Sequence, residues 1–217
     1  MANLVIMKTA LVYGATGLVG QSLVHQLLEH VAYSKVTVLV RKKLELTHQK
    51  LAQVILDFDK PDQELVFADE VYCCLGTTIK KAGSKAAFYK VDHDYVVNIA
   101  HLAKSNGVQK FAFVSSMGAD ANSRIFYSKT KGEVEADLVK TGFESLFVFR
   151  PSLLLGARAE KRIGEQVATW VMVNLNFLVP ARYKAIEASQ VARGMVYMMN
   201  SGKAGIHVLE SQEIAAI

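Results

Sequence analysis

The chain is 217 residues long, with 51% hydrophobic residues and a formal net charge of +5. That length suits one well-buried domain rather than two of usual size, and the apolar fraction excludes a disordered chain. The basic residues are scattered apart from Arg41-Lys42-Lys43, so no stripe or reader motif points to nucleic acid.

Thr9 to Tyr13 reads as a first strand, and it empties into Gly14-Ala15-Thr16-Gly17-Leu18-Val19-Gly20. Glycine is required where a Cβ would block a tight turn or hold the backbone off a phosphate. Leu18 to about His30 carries apolar residues at helical spacing, so a helix N-terminus with unpaired N–H groups follows the glycines. Strand, glycine turn and helix together predict a dinucleotide pyrophosphate site.

Lys35 to Val40 predicts a second strand buried on both faces. It ends in Arg41-Lys42-Lys43, about twenty residues after the last glycine, where a site preferring NAD carries Asp or Glu. No acid appears before Glu45. Arg41, with Lys42 or Lys43 as a second contact, therefore predicts NADP(H), the 2′-phosphate being met by charge-assisted hydrogen bonds.

Gln53 to Leu56 reads as a third strand, ending in Asp57-Phe58-Asp59 where an adenine would rest; Phe58 suits the core equally well. Val71 to Leu75 is the fourth, containing the adjacent Cys73 and Cys74, whose spacing fits neither a disulfide framework nor a zinc site. It leads to Gly76-Thr77-Thr78, at the switch point where ligands of such sheets bind. A helix over about Phe88 to Ser105, a strand over Phe111 to Ser115, a helix over Tyr127 to Lys140 and a strand over Leu146 to Phe149 follow. A helix near Gln190 to Met199, with Ser189 as its N-cap, and a last strand over Ile206 to Leu209 complete the series. Strands alternating with helices from end to end predict an α/β fold. The expected form is a Rossmann-type doubly wound parallel sheet with helices on both faces. One NAD(P)-binding domain spans 1–217, with a short substrate-side segment at about 152–187.

Within that segment, Val167, Trp170, Val171 and Leu175 at helical spacing read as core or interface packing. The six histidines form no ligand cluster, so no metal is expected. No secretory pattern opens the chain, and the apolar stretch Val167 to Pro180 is too short to cross a bilayer, so no membrane association is expected. The expectation is a cytoplasmic protein, with a homodimer left open.

Ser115-Ser116 ends the fifth strand, and Tyr127-Ser128-Lys129-Thr130-Lys131 opens the next helix. Tyr127 and Lys131, four apart, share a helix face, whereas Lys129 points away from Tyr127. A phenol with an unperturbed pKa of about 10 is a weak acid–base catalyst at neutral pH, and a nearby ammonium brings it toward the working range. Lys131 is placed for that part and for the nicotinamide ribose hydroxyls. A serine from the strand end would orient a substrate carbonyl, and Tyr127 would protonate its oxygen.

Glycine turn, basic second strand, Ser115-Ser116 and Tyr127-x-x-x-Lys131, in that order, resemble the extended or atypical short-chain dehydrogenases/reductases. The chain is also similar to the Tat-interacting-protein family of small NADPH-binding oxidoreductase-like proteins. That resemblance rests on Cys73-Cys74-Leu75-Gly76-Thr77-Thr78, Lys81-Ala82-Gly83, Val91-Asp92-His93-Asp94-Tyr95-Val96 and Ser115-Ser116-Met117-Gly118-Ala119-Asp120. Lys131-Gly132-Glu133-Val134-Glu135-Ala136 and Phe149-Arg150-Pro151 extend it, and it thins after about Arg162.

The resemblance implies that Gly14, Ala15, Thr16, Gly17, Leu18, Val19, Arg41, Leu75, Gly76, Thr77, Lys131, Arg150, Pro151 and Ser152 line the cofactor. It puts Ser116 (or Ser115), Tyr127 and Lys131 on the catalytic triad of the wider superfamily. Asn98 is poorly placed for the fourth member some relatives use and reads as a surface or packing residue. Three functions follow as expectations. The first is an NADPH-dependent reductase of a small carbonyl compound. The second is a redox sensor that holds NADP(H) and binds a protein partner. The third is a nucleotide-sugar epimerase, for which little chain is available.

Overall fold

The computed structural model describes residues 7–60, 67–156, 180 and 183–217. The proposed Trp170 cluster and most of the expected substrate-side segment lie outside the described residues.

The main sheet is built from β1 (Lys8–Tyr13), β2 (Tyr33–Val40), β3 (Leu51–Ile55), β4 (Glu70–Cys73), β5 (Lys110–Val114), β6 (Ser145–Arg150) and β9 (Gly205–Glu210). Its order is β3-β2-β1-β4-β5-β6-β9, with every neighbouring pair parallel. The order reverses between β1 and β4, which opens a crevice at their carboxyl ends. A two-stranded ladder, β7 (Leu154–Leu155) with β8 (Ile186–Glu187), follows the sixth strand.

Side-chain alternation divides each central strand between two cores. Ala10, Val12, Tyr72, Ala112, Phe147 and Phe149 pack on one face against α1 (Leu18–Glu29) and α6 (Ala188–Asn200). Leu11, Tyr13, Val71, Cys73, Phe111 and Phe113 pack on the other against α4 (Tyr95–Ser105) and α5 (Phe126–Lys140). A strand with both faces covered has to be apolar along its whole length, and this is why these segments were recognisable.

Three expectations of local structure are corrected. No helix joins β2 to β3: the Gln53 side chain accepts from the Leu44 N–H at 2.8 Å and donates to the Leu46 carbonyl at 3.0 Å, which pins that connection as a loop. The helix expected over Phe88 to Ser105 is broken. Short helices α2 (Ile79–Ala82) and α3 (Lys85–Tyr89) lead into a π-helical turn, Lys90–Asp94, and then α4. The cap of α6 is Glu187 rather than Ser189; Glu187 and Gln190 form a reciprocal capping box, and Ser189 lies inside the helix. A last short helix, α7 (Ser211–Ala215), follows β9.

At the N-terminal ends of the strands the sheet closes on a buried carboxylate. Glu70, 1% exposed, accepts from Tyr33 at 2.5 Å and Tyr72 at 3.1 Å, and pairs with Lys8 at 2.8 Å. Asn200 ties α6 to this cluster, donating to the Tyr33 hydroxyl at 2.9 Å and accepting from Lys8 at 2.8 Å. Burial first, then the Glu70 charge, raises the Tyr33 pKa, so the phenol stays protonated and donates to the carboxylate.

Candidate functional site

The crevice between β1 and β4 is a groove of two lobes. One, of about 800 Å³, is lined by Gly14, Ala15, Arg41, Asp57, Phe58 and Tyr95 among others. The second, of about 590 Å³, is lined by Leu18, Val19, Asp92, Ser115, Tyr127 and Lys131 among others. Thr16, Gly17, Cys74, Leu75, Gly76 and Thr77 line both, so the lobes join over the glycine turn. Two nucleoside-sized hollows meeting at a phosphate cradle match the shape of a dinucleotide.

The cradle needs its glycines. Gly14 has φ +76°, and a Cβ there would lie 2.4 Å from the Cys74 carbonyl carbon and oxygen. A Cβ on Gly20 would lie 2.1 Å from the Gly14 carbonyl oxygen, so helix α1 reaches its strand only without one. Gly17 is the N-cap of α1 and offers no side chain to the first turn, which also holds no acid. The helix thus presents uncapped N–H groups and the positive end of its dipole to the groove, as an anion requires.

In the larger lobe, Arg41 is exposed at the end of β2 with Lys42 and Lys43 beside it; only Arg41 of the three lines the lobe. Phe58 makes an edge contact with Tyr13 at 6.3 Å and a tilted contact with Tyr95 at 5.6 Å. Tyr95 donates to Asp59 at 2.5 Å and Lys90 pairs with the same carboxylate at 2.6 Å, so their hydrogen bonds hold the Asp59 carboxyl below its ordinary range.

In the smaller lobe, Lys131 is almost fully buried, with its Nζ 2.8 Å from Asp92 Oδ1 and 5.4 Å from the centre of the Phe113 ring. The other Asp92 oxygen accepts from the Thr77 N–H at 2.8 Å. Burial works to lower the Lys131 pKa, but Asp92 and then Tyr127 outweigh it and leave it raised, so the group is an ammonium. Tyr127, one helical turn earlier, lies half-buried against Phe88 at 5.5 Å. Lys129 points elsewhere, pairing with Glu133 at 3.8 Å, and Asn98 is exposed on α4. The Cys74 thiol, raised by burial and then by Cys73, stays protonated, and so is no nucleophile for the groove.

The two serines part company. Ser115 lines the lobe, but its hydroxyl donates to Glu135, which is 7% exposed. Ser116 keeps its Oγ enclosed, with no hydrogen-bond partner, and is not part of the lobe lining. Arg150 grips Glu135 through Nε at 3.1 Å and its terminal nitrogen at 2.5 Å, and reaches Glu210 at 3.2 Å. It lies outside both lobes, as do Pro151 and Ser152. Ser152 donates its N–H to Ser211 at 2.6 Å and its hydroxyl to the Lys184 carbonyl. Of this stretch, Leu154 is what the structure brings to the groove. Asp92 and Tyr95 line the groove, and composition and spacing did not single them out. The available signal was an acid directly ahead of an apolar helix, on a segment that faces the glycine turn.

Comparison with known proteins agrees with this geometry. An NAD(P)H-binding family model matches residues 14–200. Protein HTATIP2 of Rattus norvegicus is 37% identical over 214 residues, covering 95% of this chain and 88% of that protein. The mitochondrial protein FMP52 of Eremothecium gossypii is 32% identical over 220 residues, covering 96% of each. FMP52 of Saccharomyces cerevisiae, also named mitochondrial, is 30% identical over 203 residues, covering 91% of this chain and 86% of that protein.

Among solved structures, MoeE5 with UDP-glucose and NAD superposes with a TM-score of 0.72 at 14% identity, over 96% of this chain and 80% of that one. UDP-glucuronic acid 4-epimerase from Bacillus cereus gives 0.71 at 17% identity, over 93% of this chain and 76% of that one. These show the fold alone. The expected cytoplasmic location is corrected by the fungal relatives named mitochondrial. Glycine cradle, two-lobed groove, family match and relatives converge: the chain belongs to the NAD(P)H-binding family, as an atypical short-chain dehydrogenase/reductase of the HTATIP2 type.

Proposed function

We propose that this protein is an NADP(H)-dependent oxidoreductase that reduces a small carbonyl compound, with Tyr127 as general acid. The observation that carries the reading is that Tyr127 and Lys131 share the lobe at one end of the groove, while Arg41 stands at the other. A bound nicotinamide supplies the hydride. Tyr127 gives its phenolic proton to the carbonyl oxygen, and Lys131 donates to the ribose hydroxyls beside Gly76. Arg41 meets the 2′-phosphate with Lys42 next to it, and Asp57 and Phe58 flank the adenine.

Tyr127→Phe is expected to remove turnover on any accepted aldehyde or ketone while cofactor affinity stays nearly unchanged, as read by NADPH consumption and by fluorescence titration. Unaffected turnover would dismiss Tyr127. Arg41→Ala is expected to weaken NADPH by about tenfold or more, the worth of one charge-assisted hydrogen bond, and NADH far less. Equal losses for both would remove Arg41 from the phosphate.

A second reading, a redox sensor that binds NADP(H) and passes its state to a protein partner, is favoured by one observation. Two candidate catalytic groups are committed internally, Ser115 to Glu135 and Lys131 to Asp92. A sensor would bind oxidised and reduced cofactor with unlike affinity, and its partner would respond to that difference. NADPH binding without consumption across a panel of small aldehydes and ketones decides for it.

A further inference from the structure

We propose that Asp92 is a positioning residue for the bound dinucleotide, acting through Lys131: its carboxylate holds the ammonium against the Gly76–Thr77 backbone where the nicotinamide ribose passes. The proposal rests on the cofactor reading above and adds a residue that the reading does not require.

The pair is built for this. Asp92 and Lys131 side chains are 0% and 4% exposed, so neither charge is hydrated. An ammonium in such a place gives up a proton and becomes a neutral amine unless an anion faces it. Asp92 faces it with one oxygen while the Thr77 N–H fixes the other, so the carboxylate has a set orientation. Gly76 lies directly over the pair: a Cβ there would sit 3.4 Å from Asp92 Oδ1 and 3.7 Å from Lys131 Nζ. Gly76, Asp92 and Lys131 all line the smaller lobe, and the bare backbone at Gly76 puts no side chain between the pair and the groove.

The π-helical turn explains how the acid reaches this spot. Such turns are frequent at functional sites. This one sets Asp92 against Lys131 and the next residue, His93, between Asp94 at 2.9 Å and Asp137 of α5 at 3.1 Å. Two successive side chains of the turn therefore clamp it to α5, and the Tyr89 ring stacks on His93 at 4.5 Å. The other titratable groups that act on Lys131 are Tyr127 on α5 and Cys73 at the end of β4, with the Phe113 ring beneath. Burial pushes the Cys73 thiol up to about 12, so it supplies no substitute anion at neutral pH.

The test compares Asp92→Asn, Lys131→Met and wild type by NADPH and NADH titration of the full chain from about pH 6 to about pH 9. Asparagine keeps an acceptor for Thr77 and removes the charge, so burial, now opposed only by Tyr127 and Cys73, lowers the Lys131 pKa. Wild type is expected to bind NADH with the same affinity across the range, and every variant is read against wild type at the same pH because the 2′-phosphate of NADPH itself titrates at about pH 6. Lys131→Met is expected to bind about tenfold or more weakly at every pH. D92N is expected to approach wild type at about pH 6 and to fall to the Lys131→Met level by about pH 9, equally for both cofactors.

A loss in D92N that does not change with pH, or no loss at all, would overturn the proposal. The double variant D92N/K131M, which leaves no buried charge behind, is expected to match Lys131→Met without pH dependence; a further loss would show Asp92 acting independently of Lys131 and overturn it too. A second readout needs no cofactor: the Cε signal of carbon-13-labelled Lys131 is expected to stay in its ammonium form up to about pH 9 in wild type and to titrate below that in D92N. Absence of binding in wild type would defeat the cofactor reading alone, and this signal would still decide the role of Asp92.

Discussion

Alanine at position 14 is expected to destabilise the fold by about 2–5 kcal/mol and to weaken dinucleotide binding by at least about a hundredfold. The first figure joins about 1–2 kcal/mol for an L-residue in the left-handed region to about 1–3 kcal/mol for overpacking. Both apply, because Gly14 has φ +76° and its Cβ would sit 2.4 Å from the Cys74 carbonyl. The obstacle is backbone, and Cys74 is tied to Tyr13 by an N–H···O bond of 2.9 Å, so the neighbour cannot step aside. The turn must move instead, carrying the start of α1 with it. Losing two charge-assisted hydrogen bonds to the pyrophosphate, at about 1.5–3 kcal/mol each, gives the affinity figure. Gly107 is the control. Its φ is +84° but no atom lies within 4 Å of its would-be Cβ, so Gly107→Ala should cost only the conformational strain and leave binding intact. Thermal unfolding and a NADPH titration of both variants check this; a Gly14→Ala protein that binds like wild type would dismiss the cradle.

Glu70→Ala should act on stability alone. It leaves Lys8, Tyr33 and Tyr72 without their shared acceptor in a site where Glu70 itself is 1% exposed. Breaking a buried pair by removing one partner costs about 3–5 kcal/mol, or roughly 6–20 °C in melting temperature for a chain of this size. Because these residues open β1, β2 and β4 at the ends remote from the groove, cofactor affinity of the folded fraction should be unchanged. Glu70→Gln keeps an acceptor and should lose less. A melting temperature within about 2 °C of wild type for Glu70→Ala would mean that the cluster contributes little.

The contrast between these two sites explains what a reader of the sequence could see. Gly14, Gly17 and Gly20 answer to constraints within one turn and one helix, so their spacing carries the message. Tyr127 and Lys131 lie one helical turn apart and are equally local. The sheet was legible because strands covered on both faces must be apolar throughout, as Leu11, Val12, Phe111 and Phe113 are.

Glu70 was not legible, since Lys8, Tyr33 and Lys110 reach it from three other strands and meet only in the folded order. Asp92 was hidden for the same reason, and further because a π turn, which shifts every later side chain on the helix, has no clear residue signature. The two serines at the end of β5 are adjacent, so composition could not say that Ser115 faces the groove and Glu135 while Ser116 is enclosed. Arg150 was expected to line the cofactor only through the family resemblance; the fold pairs it with Glu135 and Glu210 instead.

The most direct test of the account is a titration of the wild-type protein with NADPH and with NADH, followed by nicotinamide fluorescence. The two-lobed groove, with Arg41 proposed to meet the 2′-phosphate from the larger lobe, predicts saturable binding of both, with NADPH the tighter by about tenfold or more. No saturable binding of either would contradict the assignment of the groove itself, and tighter binding of NADH would contradict the place given to Arg41.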